Sequence, residues 1–181
     1  QESDLSYSTS FTWQCSPRTW ENLIENPSLL AALWQAYGYA PSYQVSASKD
    51  ILHVVDSTGL EGEVHLLETA SDERTYLVHG KLNHWAVPFF NQGQAVFRLR
   101  GISSDGQVKG TIAIDIKATS GVASAAIKLA SPLVRARVDN RVTLNLIDVQ
   151  RIVEAIEATP DSAAAKLEGA ARREFTRLFQ H

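Results

Sequence analysis

Two consecutive segments restrict the folds open to this chain. Residues 94–117 read as a β-hairpin, with alternating positions flanking Asp105-Gly106. Asp-Gly fits a two-residue turn that needs positive φ at both positions. Such a loop pairs Phe97 with Ile114, Leu99 with Ile112 and Ala95 with Ile116, all apolar. Arg98, Arg100, Thr111, Asp115 and Lys117 take the reverse face, which should meet water. A long, mostly apolar segment, 121–157, follows at once and reads as helix, restarting or kinking at Pro132. Val134, Val138, Val142, Val149, Ile152, Val153 and Ile156 share one helical face, and Leu133, Leu144 and Ile147 broaden it. A stripe that wide needs a sheet to cover it.

The rest of the chain supplies that sheet. Residues 6–15 alternate strictly, with Tyr7, Thr9, Phe11, Trp13 and Cys15 on one face, which predicts a half-buried strand. Ser16-Pro17 and Asn26-Pro27 each set a capping residue before proline and predict two short helices. Ser131-Pro132 and Thr159-Pro160 repeat the pattern. Further strands are predicted near 43–48, 51–57, 61–70, 74–82, 94–103 and 107–117. With Ser71-Asp72-Glu73 as a three-residue turn, Glu63 meets Lys81, His65 meets His79 and Leu67 meets Leu77. The opposite charges of Glu63 and Lys81 favour that register. Val64, Leu66, Tyr76, Val78 and Leu82 then share the other face. Residues 161–180 read as a weaker amphipathic helix, with Leu167, Ala171, Phe175 and Leu178 on one side.

The 181 residues are enough for one domain and a tail. A net charge of −3 argues against a nucleic-acid partner. The only cysteine is Cys15, so neither an intrachain disulfide nor a cysteine zinc cluster can form. No apolar run approaches the ~18 residues of a membrane span. The basic helix at 161–180 is a candidate for peripheral membrane contact, although terminal amphipathic helices more often dock on their own domain. The chain begins at Gln1 and lacks methionine, which places its natural start upstream. A removed signal peptide would make it exported or periplasmic; otherwise it is expected in the cytoplasm. Sequence alone sets no oligomeric state.

The order strand, two short helices, six strands and long helix resembles the START-like (SRPBCC, helix-grip) superfamily. Within it, the chain looks most like the type that groups polyketide cyclases with a small component of carbon-monoxide dehydrogenase. The residues that carry the resemblance are Ser16-Pro17-Arg18-Thr19-Trp20-Glu21-Asn22-Leu23 with Asn26-Pro27, the strand pair 62–82, and the hairpin leading into Gly121 and the final helix. It covers about residues 5–157, read as a domain 1–157, with 158–181 as a helical extension; the loop 85–90 also departs from the pattern. The resemblance implies an α+β fold, in which a curved antiparallel sheet of about seven strands wraps a long C-terminal helix. It also implies an apolar cavity for lipids, sterols, quinones or polyketides. Phe11, Trp13, Val64, Leu66, Val78, Phe97, Leu99, Ile112, Ile114, Val134 and Val138 would line it, with Leu33 and Trp34 closing one end. Trp85, Phe89 and Phe90 are the candidate lid.

The expected function is binding or transport of a hydrophobic small molecule, with no cofactor. A cyclase- or hydrolase-type enzyme on the same scaffold, and an assembly protein acting through 158–181, are the alternatives. His65, His79 and Tyr76 are the candidate polar contacts in the cavity, with Glu68 a further ionisable group, but these divide between two faces. His65 opposite His79, with Glu63 nearby, invites a zinc reading. Zinc wants three or four protein ligands, the pattern supplies no more, and no metal is expected. Cys15, on an aromatic strand face, reads as a small hydrophobe. Arg98 and Asp115 read as a surface ion pair.

Overall fold

The computed structural model describes residues 3–48, 51–57, 60–82, 93–129 and 131–180. β1 (Leu5–Gln14) leads into α1 (Pro17–Glu25) and α2 (Pro27–Ala36). Six strands follow: β2 (Tyr43–Ser48), β3 (Ile51–Asp56), β4 (Leu60–Thr69), β5 (Glu73–Leu82), β6 (Gly93–Ser104) and β7 (Gln107–Ala118). The chain ends in α3 (Gly121–Leu129), α4 (Ser131–Ala158), α5 (Pro160–Ala165) and α6 (Gly169–Phe179). The strands form one antiparallel sheet in the order β1-β7-β6-β5-β4-β3-β2. The expected architecture of seven strands, two early helices and a long C-terminal helix is the one observed. The predicted single helix at 161–180 is instead two, α5 and α6. They part at a Gly169 whose φ of +55° no helix interior adopts.

Local chemistry accounts for the element ends. The Ser16 hydroxyl accepts from the Thr19 N–H at 3.2 Å and caps α1, with Pro17 in the first turn. Asn26 starts α2 without a side-chain cap; its amide reaches back to the Asn22 carbonyl at 2.8 Å. Asp105 and Gly106 both take positive φ, 52° and 73°. The register of β6 on β7 is the predicted one, with Phe97 on Ile114 and Leu99 on Ile112.

The β4–β5 register is a correction. Glu63 faces His79, His65 faces Leu77 and Glu61 faces Lys81. The turn is tighter than expected, since the Ala70 N–H donates to the Glu73 carbonyl at 2.8 Å and Thr69 already faces Arg74. A bulge at Leu67 then takes up one more residue. The two shifts sum to an even number, so residues before the bulge keep their predicted faces, while Glu68 and Thr69 beyond it exchange theirs: Glu68 faces Thr75 on the outer side and Thr69 faces Arg74 at the recess.

The long helix is tied to both edges of the sheet. At β1 the Tyr7 hydroxyl donates to Asp139 at 2.8 Å. At the far edge Arg141 pairs with the buried Asp56, and Asn145 hydrogen-bonds with the Tyr43 hydroxyl. α4 thereby draws β1 and β2–β3 toward itself, and the sheet curves around it.

The core fills the β1 side of that curve. Phe11, Trp13, Trp20, Leu23, Val108, Ile112, Ile152 and Val153 are all buried there. Two facing glycines, Gly101 and Gly110, make room for rings. A Cβ at Gly101 would lie 2.2 Å from the Trp20 ring; one at Gly110 would lie 2.2 Å from Phe11 and 2.6 Å from the Arg100 carbonyl. Backbone cannot yield to that contact. Gly110→Ala is therefore expected to lose about 3 kcal/mol, the upper end of ordinary overpacking costs, read as a lowered midpoint in urea unfolding.

Ala163, Ala164, Leu167 and Phe175 of the 158–181 segment belong to the same buried cluster. The Leu178 carbonyl accepts from Arg18 at 2.6 Å and from Asn22 at 3.2 Å, which fastens α6 to α1.

Candidate ligand-binding face

The inner face of the sheet, turned toward α4, carries Leu52 and Val54 on β3, Val64 and Leu66 on β4, Tyr76 and Val78 on β5, and Ala95 and Phe97 on β6. Strand period two places them there. These side chains are only partly buried, and Leu66 is 47% exposed. The contrast with the closed core beside β1 is sharp: Val108 and Ile152 are fully buried.

A recess of about 630 Å³ opens on this face. Its floor is Leu52, Val64, Leu66 and Tyr76. The α1–α2 junction, Ile24 to Leu29, forms one wall, and Arg74 and Glu174 stand at its rim. Arg74 is held in place: its guanidinium donates to the Ala70 carbonyl at 2.6 Å and lies 3.8 Å from Glu25. Burial pushes the Tyr76 phenol up in pKa, with Arg74 opposing in part. The phenol keeps its proton and presents a donor. Apolar walls with a few oriented polar groups are the usual composition of a small-molecule site.

No protein-family model matches this chain, and no curated protein matches it in sequence. Solved structures do match. A conserved protein of Geobacillus kaustophilus superposes with a TM-score of 0.62 at 11% identity, over 83% of this chain and 97% of that one. A START superfamily protein of Mycobacterium smegmatis gives 0.58 at 11% identity, over 83% and 98%. The fold is START-like. At these identities the likeness concerns architecture alone.

Within the START-like fold the sequence-predicted residues separate into groups. Val64, Leu66 and Tyr76 line the recess, and Val78 and Phe97 adjoin it on the same face. Phe11, Trp13, Leu33, Trp34 and Ile112 are buried core, and Leu99, Ile114 and Val138 are partly buried against it. Val134 is partly buried on α4. Trp85, Phe89 and Phe90 lie outside the described residues. His65 and His79 are on the outer face with Glu63, so they do not reach the recess. Ile24, Leu29, Leu52 and Arg74 were not expected there. Leu52 and Arg74 carry the right strand parity, while the helix junction carries no signal that would aim it at the sheet.

The outer face has its own grouping. His53 Nδ1 and His65 Nε2 each lie 3.7 Å from a Glu63 carboxylate oxygen. The His65 and His79 rings are 5.5 Å apart. Arg98 pairs with Asp115 on this face, as expected. Among the described residues no three His, Cys, Asp or Glu side chains stand in ready-made metal geometry, and no helix is long and apolar enough to cross a membrane.

Cys15 is buried, and burial pushes its thiol up to about 12, with the Glu157 charge adding to the shift. The nucleophile is the thiolate, so this thiol is inert in the folded protein. A thiol-specific chromogenic reagent is expected to react only after denaturant is added. Rapid labelling of the native protein would contradict that placement.

Proposed function

We propose that this chain binds and carries a hydrophobic small molecule of lipid or quinone type on the inner face of its sheet. The observation that supports this most strongly is the unequal filling of the sheet's inner face. The β1 side is packed shut, while apolar side chains of β3 to β6 stay partly open over a recess of about 630 Å³. A face used only for packing would be filled to the density of protein interiors. The START-like resemblance implies a cavity between the sheet and the long helix; this recess shares the sheet's inner face but is walled by the α1–α2 junction, with Glu174 of α6 at its rim.

Burial supplies the affinity. Each methylene taken out of water contributes ~0.8 kcal/mol, so an acyl or prenyl chain binds without specific chemistry. Arg74 and Tyr76 at one end of the recess orient a polar head group. Carriage of this kind needs no catalytic residue. The histidines that an acid–base mechanism would use lie on the other face.

The test is native mass spectrometry of the purified chain, followed by organic extraction. The expected result is a mass adduct released on denaturation, recovered in the organic phase as a lipid or quinone. If the apo mass alone is found, and the protein takes up neither fatty acid nor prenyl quinone when these are supplied, the reading fails.

A further inference from the structure

The outer face of β3, β4 and β5 brings together four side chains of types that can ligate metals. Glu63 stands in the middle of a cross-strand row, with His53 opposite on β3 and His79 opposite on β5. His65 lies two residues along β4 from Glu63 on the same face, and therefore diagonal to both other histidines. A recess of about 530 Å³ lies over this row, lined by His53, Glu61, Glu63 and His79, with Gly62 and Gly80 in its floor. We propose that His53, Glu63, His65 and His79 form a zinc-class divalent metal site on the outer face of the sheet.

Distances and chemistry carry the assignment. A tetrahedral zinc ion with bonds of roughly 2.0–2.1 Å holds its ligating atoms about 3.3 Å from one another. Glu63 oxygens lie 3.7 Å from His53 Nδ1 and from His65 Nε2, a few tenths of an ångström from that spacing. Two imidazoles on one such ion have ring centres about 5.2 Å apart; those of His65 and His79 are 5.5 Å apart. The side chains do not yet converge on one point. With side-chain exposures of 45%, 33% and 53% for His53, His65 and Glu63, they can turn to do so. Three imidazoles and one carboxylate favour Zn²⁺, with Cu²⁺ and Ni²⁺ as competitors, over Mg²⁺ or Ca²⁺. The tighter β4–β5 turn and the bulge at Leu67 create the set. In the register expected from sequence His79 would face His65, and Glu63 would face Lys81. The site is independent of the apolar recess on the opposite face.

The test is a calorimetric titration of the untagged chain with Zn²⁺, paired with the visible spectrum of its Co²⁺ form. The expected result is one saturable metal per chain and an intense, tetrahedral-type cobalt spectrum. His65→Ala and His79→Ala should each weaken binding by ~100-fold or more, in line with the large losses seen on disturbing zinc ligand shells. Glu63→Gln should alter the cobalt spectrum. All three positions are on the sheet surface, so circular dichroism should remain that of the parent. Absence of saturable Zn²⁺ uptake, or uptake that survives the His65→Ala/His79→Ala double substitution, would overturn the proposal.

Discussion

Phe175→Ala is expected to destabilise the protein by about 4 kcal/mol, within the range for deleting a fully buried aromatic side chain. Phe175 is 0% exposed, packs its ring tilted against Phe179 at 4.7 Å between ring centres, and joins the same cluster as Leu33 and Ile152. The remaining void is bounded by helices that are themselves anchored, since the Leu178 carbonyl is held by Arg18 and Asn22. Little collapse is available to soften the loss. For a chain of this size the change corresponds to a fall of about 10 °C in the thermal midpoint. A calorimetric scan reads it directly. A shift of only a degree or two would mean that α5 and α6 sit on the domain rather than in its core.

The second large effect concerns binding. Val64→Trp is expected to reduce uptake of a fluorescent fatty-acid or prenyl probe at least tenfold while the thermal midpoint moves by only a few degrees. Val64 lies in the floor of the recess, is partly buried, and faces Val78 across the ladder. An indole there projects into open space and occupies the volume an acyl chain would use. A tenfold loss is about 1.4 kcal/mol, the contribution of roughly two buried methylenes, so the expectation is modest for so large a side chain. Unchanged probe affinity in the folded variant would remove the recess from the binding site.

Sequence patterning and its limits can be followed residue by residue. Face assignments were legible because period two is rigid: Val64, Leu66, Tyr76 and Val78 share one side in any register that keeps parity. The β4–β5 register itself was not. Lys81 has a glutamate opposite it in either register, Glu61 or Glu63, so the charge rule could not separate the two pairings. The bulge at Leu67 has no signature in the residues around it. The grouping of His53 with Glu63 depends on the register of β3 on β4, which the short connection between them sets and alternation alone does not encode. Filling was hidden for a different reason. Phe11, Trp13 and Ile112 have the same apolar character as Val64 and Leu66, and the glycine notch at Gly101 and Gly110, with Trp20 of α1 above it, decides which end closes.

A hydrophobic ligand is expected on the inner face of β3 to β5. The most direct measurement is photocrosslinking with a diazirine-bearing fatty acid, followed by peptide mapping. The expected label falls on Leu52, Val64, Leu66 or Tyr76 and is competed away by unlabelled fatty acid. Label confined to the exposed apolar side chains of Leu129, Leu133 and Leu144, or label that no competitor displaces, would contradict it.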